Sequence, residues 1–242
     1  MSSGKQNVPA MKLVLTCEHA FPAIPEKYRE LFISDNEVLN THEAYDPGAY
    51  DLFRELKILA DVTHHQEIGR LLVESNRSLW HKNLFSRFSK GLSEKEKQDI
   101  LNTYYIPYRQ EVEEDISQLI DLGNEVLHIS VHSFTPVLDG QERNCDIGLL
   151  YDPLRKEEKM VSLEWKQLIQ KNNLKTRVRF NYPYQGKADG FTTSLRKLFP
   201  QKYMGIELEI NQKWVKDDKM DEAMKKTLYD TLKELKKGIS KN

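Results

Sequence analysis

The sequence predicts an α/β fold, with strands separated by helices in a sandwich on a largely parallel or mixed sheet. The strand signal is sharpest in Val126 to Pro136, VLHISVHSFTP. There Leu127, Ile129 and Val131 share one face at the two-residue strand period, and His128, Ser130 and His132 share the other. YMGIELEIN repeats the pattern, setting Glu207 and Glu209 on the face opposite Ile206, Leu208 and Ile210. Between such runs lie stretches of helical spacing, one of them opening at Ser93-Glu94-Lys95-Glu96.

In chain order, residues 1 to 11 read as a loose polar lead-in to a strand over 12 to 18, KLVLTCE, bounded by Pro22 and Pro25, with Cys17 in the core. A short helix around PEKYRELF follows. In THEAYDPGAYDLFRELKILAD the helical spacing of Tyr50, Phe53 and Leu56 begins after Asp46-Pro47, an N-cap signature. DVTHHQEI and RLLVESN are strand-like, the second ending at Asn76-Arg77, and WHKNLFSRFSKG is a loop. The helical stretch from Ser93 to Leu122 contains Pro107, which kinks or splits it, and stops at Gly123. The loop LDGQERN leads to a buried strand over Asp146 to Tyr151, and a helix over 154 to 172 carries Leu154, Met160, Leu163 and Leu168 on a helical repeat. TRVRFNYPY is a strand broken at Pro183, and QGKADGFTTS is a Gly-containing loop entering a short helix that ends at Pro200. After YMGIELEIN an amphipathic helix runs from Asp218 to Lys237.

At 242 residues the chain can bury its core as one domain, 1-242. With 30% charged residues, 39% hydrophobic residues and a formal net charge of -1, it is neither a disordered chain nor a nucleic-acid-coating one. Cys17 and Cys145 alone are too few for a disulfide framework or a Cys-rich structural zinc site. Leu13 to Leu15 is soon followed by Glu18 and His19, so no signal-peptide core forms, and no segment reaches the apolar length of a membrane span. The expectation is a cytoplasmic protein with no nucleic-acid or membrane partner. The absence of Gly-x-Gly-x-x-Gly and of a Gly-Lys-Thr phosphate loop excludes the dinucleotide and P-loop readings.

Four polar groups stand at predicted strand ends, where open α/β sheets bind ligands: Glu18-His19, Asn76-Arg77, His132-Ser133 and Glu207-x-Glu209. Asp46 lies between them at a helix start. A catalytic zinc takes three nitrogen or oxygen ligands and keeps an open position, which His19, Asp46 and His132 satisfy. Asp46 also has the plainer reading of a helix cap, in which case Glu18 is the fallback ligand. A regular strand would send Glu18 and His19 to opposite faces, which favours Asp46. Carboxylates facing a sheet interior cost several kcal/mol unless paired, so Glu207 or Glu209 should meet a cation or a metal-activated water. Arg77 can grip a carboxylate through two parallel hydrogen bonds, and Arg143 supplies a second cation. Arg77 equally fits a salt bridge to Glu74 or Glu18. His128 lies about 13 Å back along the strand from His132 and cannot share its metal.

LVLTCEHAFPAIP, YDPGAYDL, LLVESNRSLW, ISVHSFTP, RNCDIGLLYD, YPYQGKADG and IELEINQ, in that order, resemble the N-formylglutamate amidohydrolase family over residues 12 to 215. The family is similar in fold to zinc carboxypeptidases. The resemblance implies a three-layer α/β/α sandwich around a mixed sheet, of the phosphorylase/hydrolase-like kind. It implies Zn2+ and hydrolysis of the N-acyl amide of an acidic amino acid such as N-formylglutamate. Position by position, it makes His19, His132 and Asp46 the metal ligands, Asn76-Arg77 the grip on a substrate carboxylate, and Glu209 rather than Glu207 the general base. Ser133, Arg143, Tyr184 and Gly186 fall in the stretches that resemble the pocket. Pro22 stands where the carboxypeptidases carry a ligand Glu, and Asn211-Gln212 replaces their Arg-Asp, so those contacts differ. Another metallopeptidase or N-acyl amino acid deacylase on this scaffold is the alternative activity, and a metal-free ligand-binding relative is the alternative of another class.

Overall fold

The computed structural model describes residues 10–173 and 175–239; most of the expected lead-in therefore lies outside the described residues. Its centre is a six-stranded sheet of β1 (Met11–Cys17), β2 (Val62–His65), β3 (Glu125–Phe134), β4 (Ile147–Leu150), β5 (Val178–Phe180) and β6 (Tyr203–Asn211). The spatial order is β2-β1-β3-β6-β4-β5. β2, β1, β3 and β6 run parallel, whereas β4 pairs antiparallel to β6 and carries β5 parallel to itself. The sheet is thus mixed.

Strand alternation sorts the two faces. Leu13 and Leu15 of β1, Leu127, Ile129 and Val131 of β3 and Ile206, Leu208 and Ile210 of β6 form one buried face. It packs on α1 (Ala49–Leu56), α4 (Lys156–Asn172) and α6 (Glu222–Ile239). On the opposite face Val14, Val126 and Tyr203 meet Tyr108, Val112 and Ile116 of α3 (Ile106–Asp121) and Phe191 and Leu195 of α5 (Phe191–Leu198). Helices on both faces make three layers, as parallel strands require. Toward the carboxyl edge the second face turns polar, with Thr16, His128, Ser130, His132 and Glu209 all buried. Buried polar groups cost free energy unless hydrogen-bonded. His128 accordingly bridges Thr16 Oγ1 and Tyr203 Oη, each at 2.7 Å.

Local signals place most elements. Ser93 caps α2 (Glu94–Ile100) in a capping box with Glu96, and a π-turn over Leu101–Tyr105 leads into α3, whose first turn holds Pro107. PEKYRELF opens a kinked 3₁₀ segment, Glu26–Asn40. Two expectations fail. RLLVESN forms no strand: Leu71, Leu72 and Val73 are buried, but against the 3₁₀ segment and Ile100, and the backbone closes in turns through Leu72 N to Gly69 O and Arg77 N to Glu74 O. An unalternating apolar run specifies burial and leaves strand or turn open. In α4 the buried stripe is Val161, Trp165 and Ile169, at the i, i+4, i+8 spacing; Leu168 packs beside it, Met160 and Leu163 face solvent, and Leu154 lies exposed before the helix begins. Trp165 has no exposure and its bulk sets the helix rotation. The terminal helix starts at Glu222 because a short hairpin, Val215–Lys216 with Lys219–Met220, occupies the chain before it.

Candidate metal centre

His19 lies two residues past the end of β1, His132 stands near the end of β3, and Asp46 sits in the loop before α1. Their atoms His19 Nδ1, His132 Nδ1 and Asp46 Oδ2 form a triangle with sides of 3.0, 3.1 and 3.2 Å. All three residues are buried. The cap reading of Asp46 fails: Gly48 holds the N-cap position of α1, and no side chain caps that helix. The Asp46 carboxylate turns instead to the histidines, and the Ser133 N–H donates to its Oδ2 at 3.3 Å.

The far nitrogen of each ring is held by a second carboxylate. His19 Nε2 meets Glu74 Oε1 at 2.6 Å. His132 Nε2 meets Ser130 Oγ at 2.7 Å and Glu18 Oε2 at 3.2 Å. Each buried carboxylate accepts, so each Nε2 carries a proton and each Nδ1 is the nitrogen turned toward Asp46. Two ring nitrogens and an ionised carboxylate then converge on one point, which either a proton on His132, favoured by Asp46 and Glu18 against the effect of burial, or a bound metal cation satisfies. Ligands of tetrahedral zinc stand roughly 3.3–3.5 Å apart, close to the observed triangle. The donor set fits a zinc-like ion with one position left open.

Glu18 therefore stands behind His132, on the ring nitrogen that faces away from Asp46. Because β1 ends at Cys17, Glu18 and His19 reach the same histidine rather than opposite faces. Tyr108 donates to Glu18 Oε1 at 3.0 Å. Glu74 is bound by Arg70, whose Nη2 lies 2.6 Å from Glu74 Oε2 and whose Nη1 reaches Asp46 Oδ1 at 3.4 Å. Burial would raise these carboxyls, but charged and hydrogen-bonding neighbours outweigh it. His132 holds Glu18 low; His19 and His132 hold Asp46 low; Arg70 and His19 hold Glu74 low. Arg70 and the ring-orienting role of Glu74 are absent from the sequence reading. The i, i+4 spacing of Arg70 and Glu74 is the one local signal, and it belongs to helices, which this stretch is not.

His19, Asp46, Arg70 and His132 border a cavity of about 400 Å³ that also receives Asn76, Arg77, Ser133, Tyr184, Gln185, Ala188, Asp189, Glu207 and Glu209. Glu209 faces His132 across the β3–β6 pair. Its Oε2 is buried without a hydrogen-bond partner, and burial pushes its carboxyl up to about 8 against the opposing charge of His132. Glu207 accepts from Thr192 Oγ1 at 2.6 Å. Asn76 Oδ1 accepts from Phe191 N at 2.8 Å, so its amide NH₂ is left to the cavity. Arg77 donates to Asp189 O. Arg143 stands outside the lining and reaches it through Tyr184, whose hydroxyl it meets at 3.1 Å. The Ser133 hydroxyl is engaged with Pro47 O at 2.7 Å.

The segment 181 to 190 crosses the polar sheet face at Gly148. A Cβ there would collide with the Tyr182 carbonyl and sit 3.2 Å from the Glu209 Cβ. From below, Arg196 donates to Gly186 O at 2.6 Å and to Gly205 O at 2.7 Å, while its Nε meets buried Glu158 at 2.9 Å.

Fold and donor set together define a class: α/β proteins carrying a two-histidine, one-carboxylate centre at the carboxyl edge of a mixed sheet. The profile of the N-formylglutamate amidohydrolase family matches residues 11–215, and the chain belongs to that family. Among solved structures it is similar to the gene product Atu2144 from Agrobacterium tumefaciens, at 27% identity and a TM-score of 0.81, covering 94% of this chain and 91% of that one. It is also similar to N-formylglutamate amidohydrolase from Ralstonia eutropha JMP134, at 17% identity and a TM-score of 0.64 over 97% of this chain and 94% of that one, a likeness of fold. No curated protein matches. Among the described residues no helix is long and apolar enough to cross a membrane.

Proposed function

We propose that the protein is a zinc-dependent amidohydrolase that cleaves the N-acyl amide of an acidic amino acid such as N-formylglutamate. The observation that carries this reading is the convergence of His19 Nδ1, His132 Nδ1 and Asp46 Oδ2 beside the unpartnered Oε2 of Glu209. A zinc ion held by those three residues would polarise the amide carbonyl and acidify a water molecule.

The chain's own groups do the rest. With a cation beside it to offset the burial that keeps its carboxyl protonated near neutral pH, Glu209 Oε2 would accept the proton of the attacking water and return it to the departing amine nitrogen. The Arg77 guanidinium and the Asn76 amide receive the substrate α-carboxylate, with Arg77 fixed by Asp189 and Asn76 by Phe191. Arg143, braced on Tyr184, meets the second carboxylate at the rim. Buried Ser130, Glu18 and Glu74 keep both histidines in the tautomer that faces the cavity.

The test is turnover of N-formylglutamate beside N-acetyl and peptide substrates, before and after chelation. Chelation should abolish formate release and added zinc should restore it. Turnover that survives complete metal removal defeats the reading, and preference for a peptide moves the activity to a metallopeptidase.

A further inference from the structure

We propose that Asp218 is a positioning residue for Asp46, acting through the turn Asp46-Pro47-Gly48; the inference rests on the metal-centre reading above. Asp46 lies in the loop before α1, where its own N–H donates to His19 O at 3.0 Å, and the turn that follows it is held separately. A ligand on a loop holds its geometry only if the loop backbone is fixed. Two elements grip this turn from opposite sides. From β3, the Ser133 hydroxyl donates to Pro47 O at 2.7 Å, and Gln212 Nε2 donates to that hydroxyl at 3.1 Å. From the hairpin before α6, Asp218 Oδ1 accepts the Gly48 N–H at 2.9 Å.

The hairpin is shaped for this contact. Asp217 and Asp218 have φ of 49° and 60°, so both central residues of the connection are left-handed, which aspartate tolerates better than most side chains. Val215 closes on the turn so tightly that a Cβ at Gly48, itself at φ 75°, would lie 2.7 Å from a valine methyl. The hairpin is tied to α1 as well, since Met220 N donates to Asp51 Oδ2 at 3.1 Å and Lys219 pairs with Asp51 at 3.5 Å. The turn thus has little freedom to swing Asp46 away from the histidines. The family match ends at residue 215, so the hairpin tip that bears Asp218 lies beyond the segment by which the chain was assigned.

The test uses the full chain, metal-free and titrated with zinc against a chromophoric chelator. Asp218→Gly keeps the left-handed backbone and removes the acceptor; it should weaken zinc binding about tenfold or more, the usual scale for residues behind metal ligands. Asp218→Asn keeps both the backbone preference and a side-chain oxygen, and should stay within about twofold of wild type. Asp217→Gly should change nothing. In the metal-free state the Gly48 amide should exchange faster in Asp218→Gly alone, which reads the clamp without any metal. Wild-type zinc affinity in Asp218→Gly overturns the proposal, whether or not exchange accelerates, and so does equal weakening in Asp217→Gly. A wild-type chain that binds no zinc overturns the metal-centre reading itself, and this inference with it.

Discussion

Acidification should destabilise the metal-free protein through one residue remote from chemistry. His128 has no exposure and bridges the hydroxyls of Thr16 and Tyr203 as a neutral ring. Burial, outweighing the nearby Glu18 charge, lowers its pKa from 6.5 to about 4. Between those two values the unfolded chain binds the proton and the folded chain does not. Stability from this group is therefore complete above pH 6.5 and declines as the pH falls toward 4. The gap corresponds to about 3 kcal/mol, a large part of the stability of an ordinary domain. Urea unfolding with chelator present, at pH 7 and pH 4, measures it in wild type and in His128→Gln. Glutamine keeps a donor and an acceptor for the two hydroxyls but cannot titrate. Wild type should lose about 3 kcal/mol more than the variant over that interval. Equal losses would refute a buried neutral His128.

Three further outcomes follow from the site. Glu209→Gln should retain zinc and lose turnover by roughly a hundredfold or more; undiminished turnover would transfer the proton role to Glu207. Glu74→Gln keeps an oxygen near His19 Nε2 but removes the charge that polarises the ring, so zinc affinity, read by chelator competition, should fall about tenfold. Arg77→Lys cannot offer two parallel donors to a carboxylate, so KM for an N-acyl amino acid should rise roughly tenfold with kcat much less affected; an unchanged KM would place the carboxylate elsewhere.

What could be read from the chain depended on how local each cause was. The β3 alternation is a two-residue pattern, so the polar face of His128, Ser130 and His132 and the delivery of His132 at the strand end were legible. β6 is the same case, with Glu207 and Glu209. Asp46 was readable in two ways, because Asp-Pro before a helical run is a local cap pattern and its contacts with His19 and His132 are not. Glu74 was harder still: the partner that explains it is 55 positions away, and its own neighbourhood resembles a strand. Ser133 illustrates a different gap. Its place beside His132 was evident, but the structure spends its hydroxyl on Pro47 O, a contact that exists only once α1 docks beside β3. In α4 the helix was legible but the apolar repeat left its buried face open, since of Leu154, Met160, Leu163 and Leu168 only Leu168 packs on the core, beside Trp165.

Gly148 of β4 faces the loop that walls the cavity. With no side chain on β4 there, the Tyr182 carbonyl packs directly against the strand. The depth of the pocket is therefore gauged by an atom the chain lacks rather than by any residue in its lining. Lengthening residue 148 by a single methyl would lift that wall and press on the Glu209 stem at once, so pocket volume and base placement share one adjusting screw.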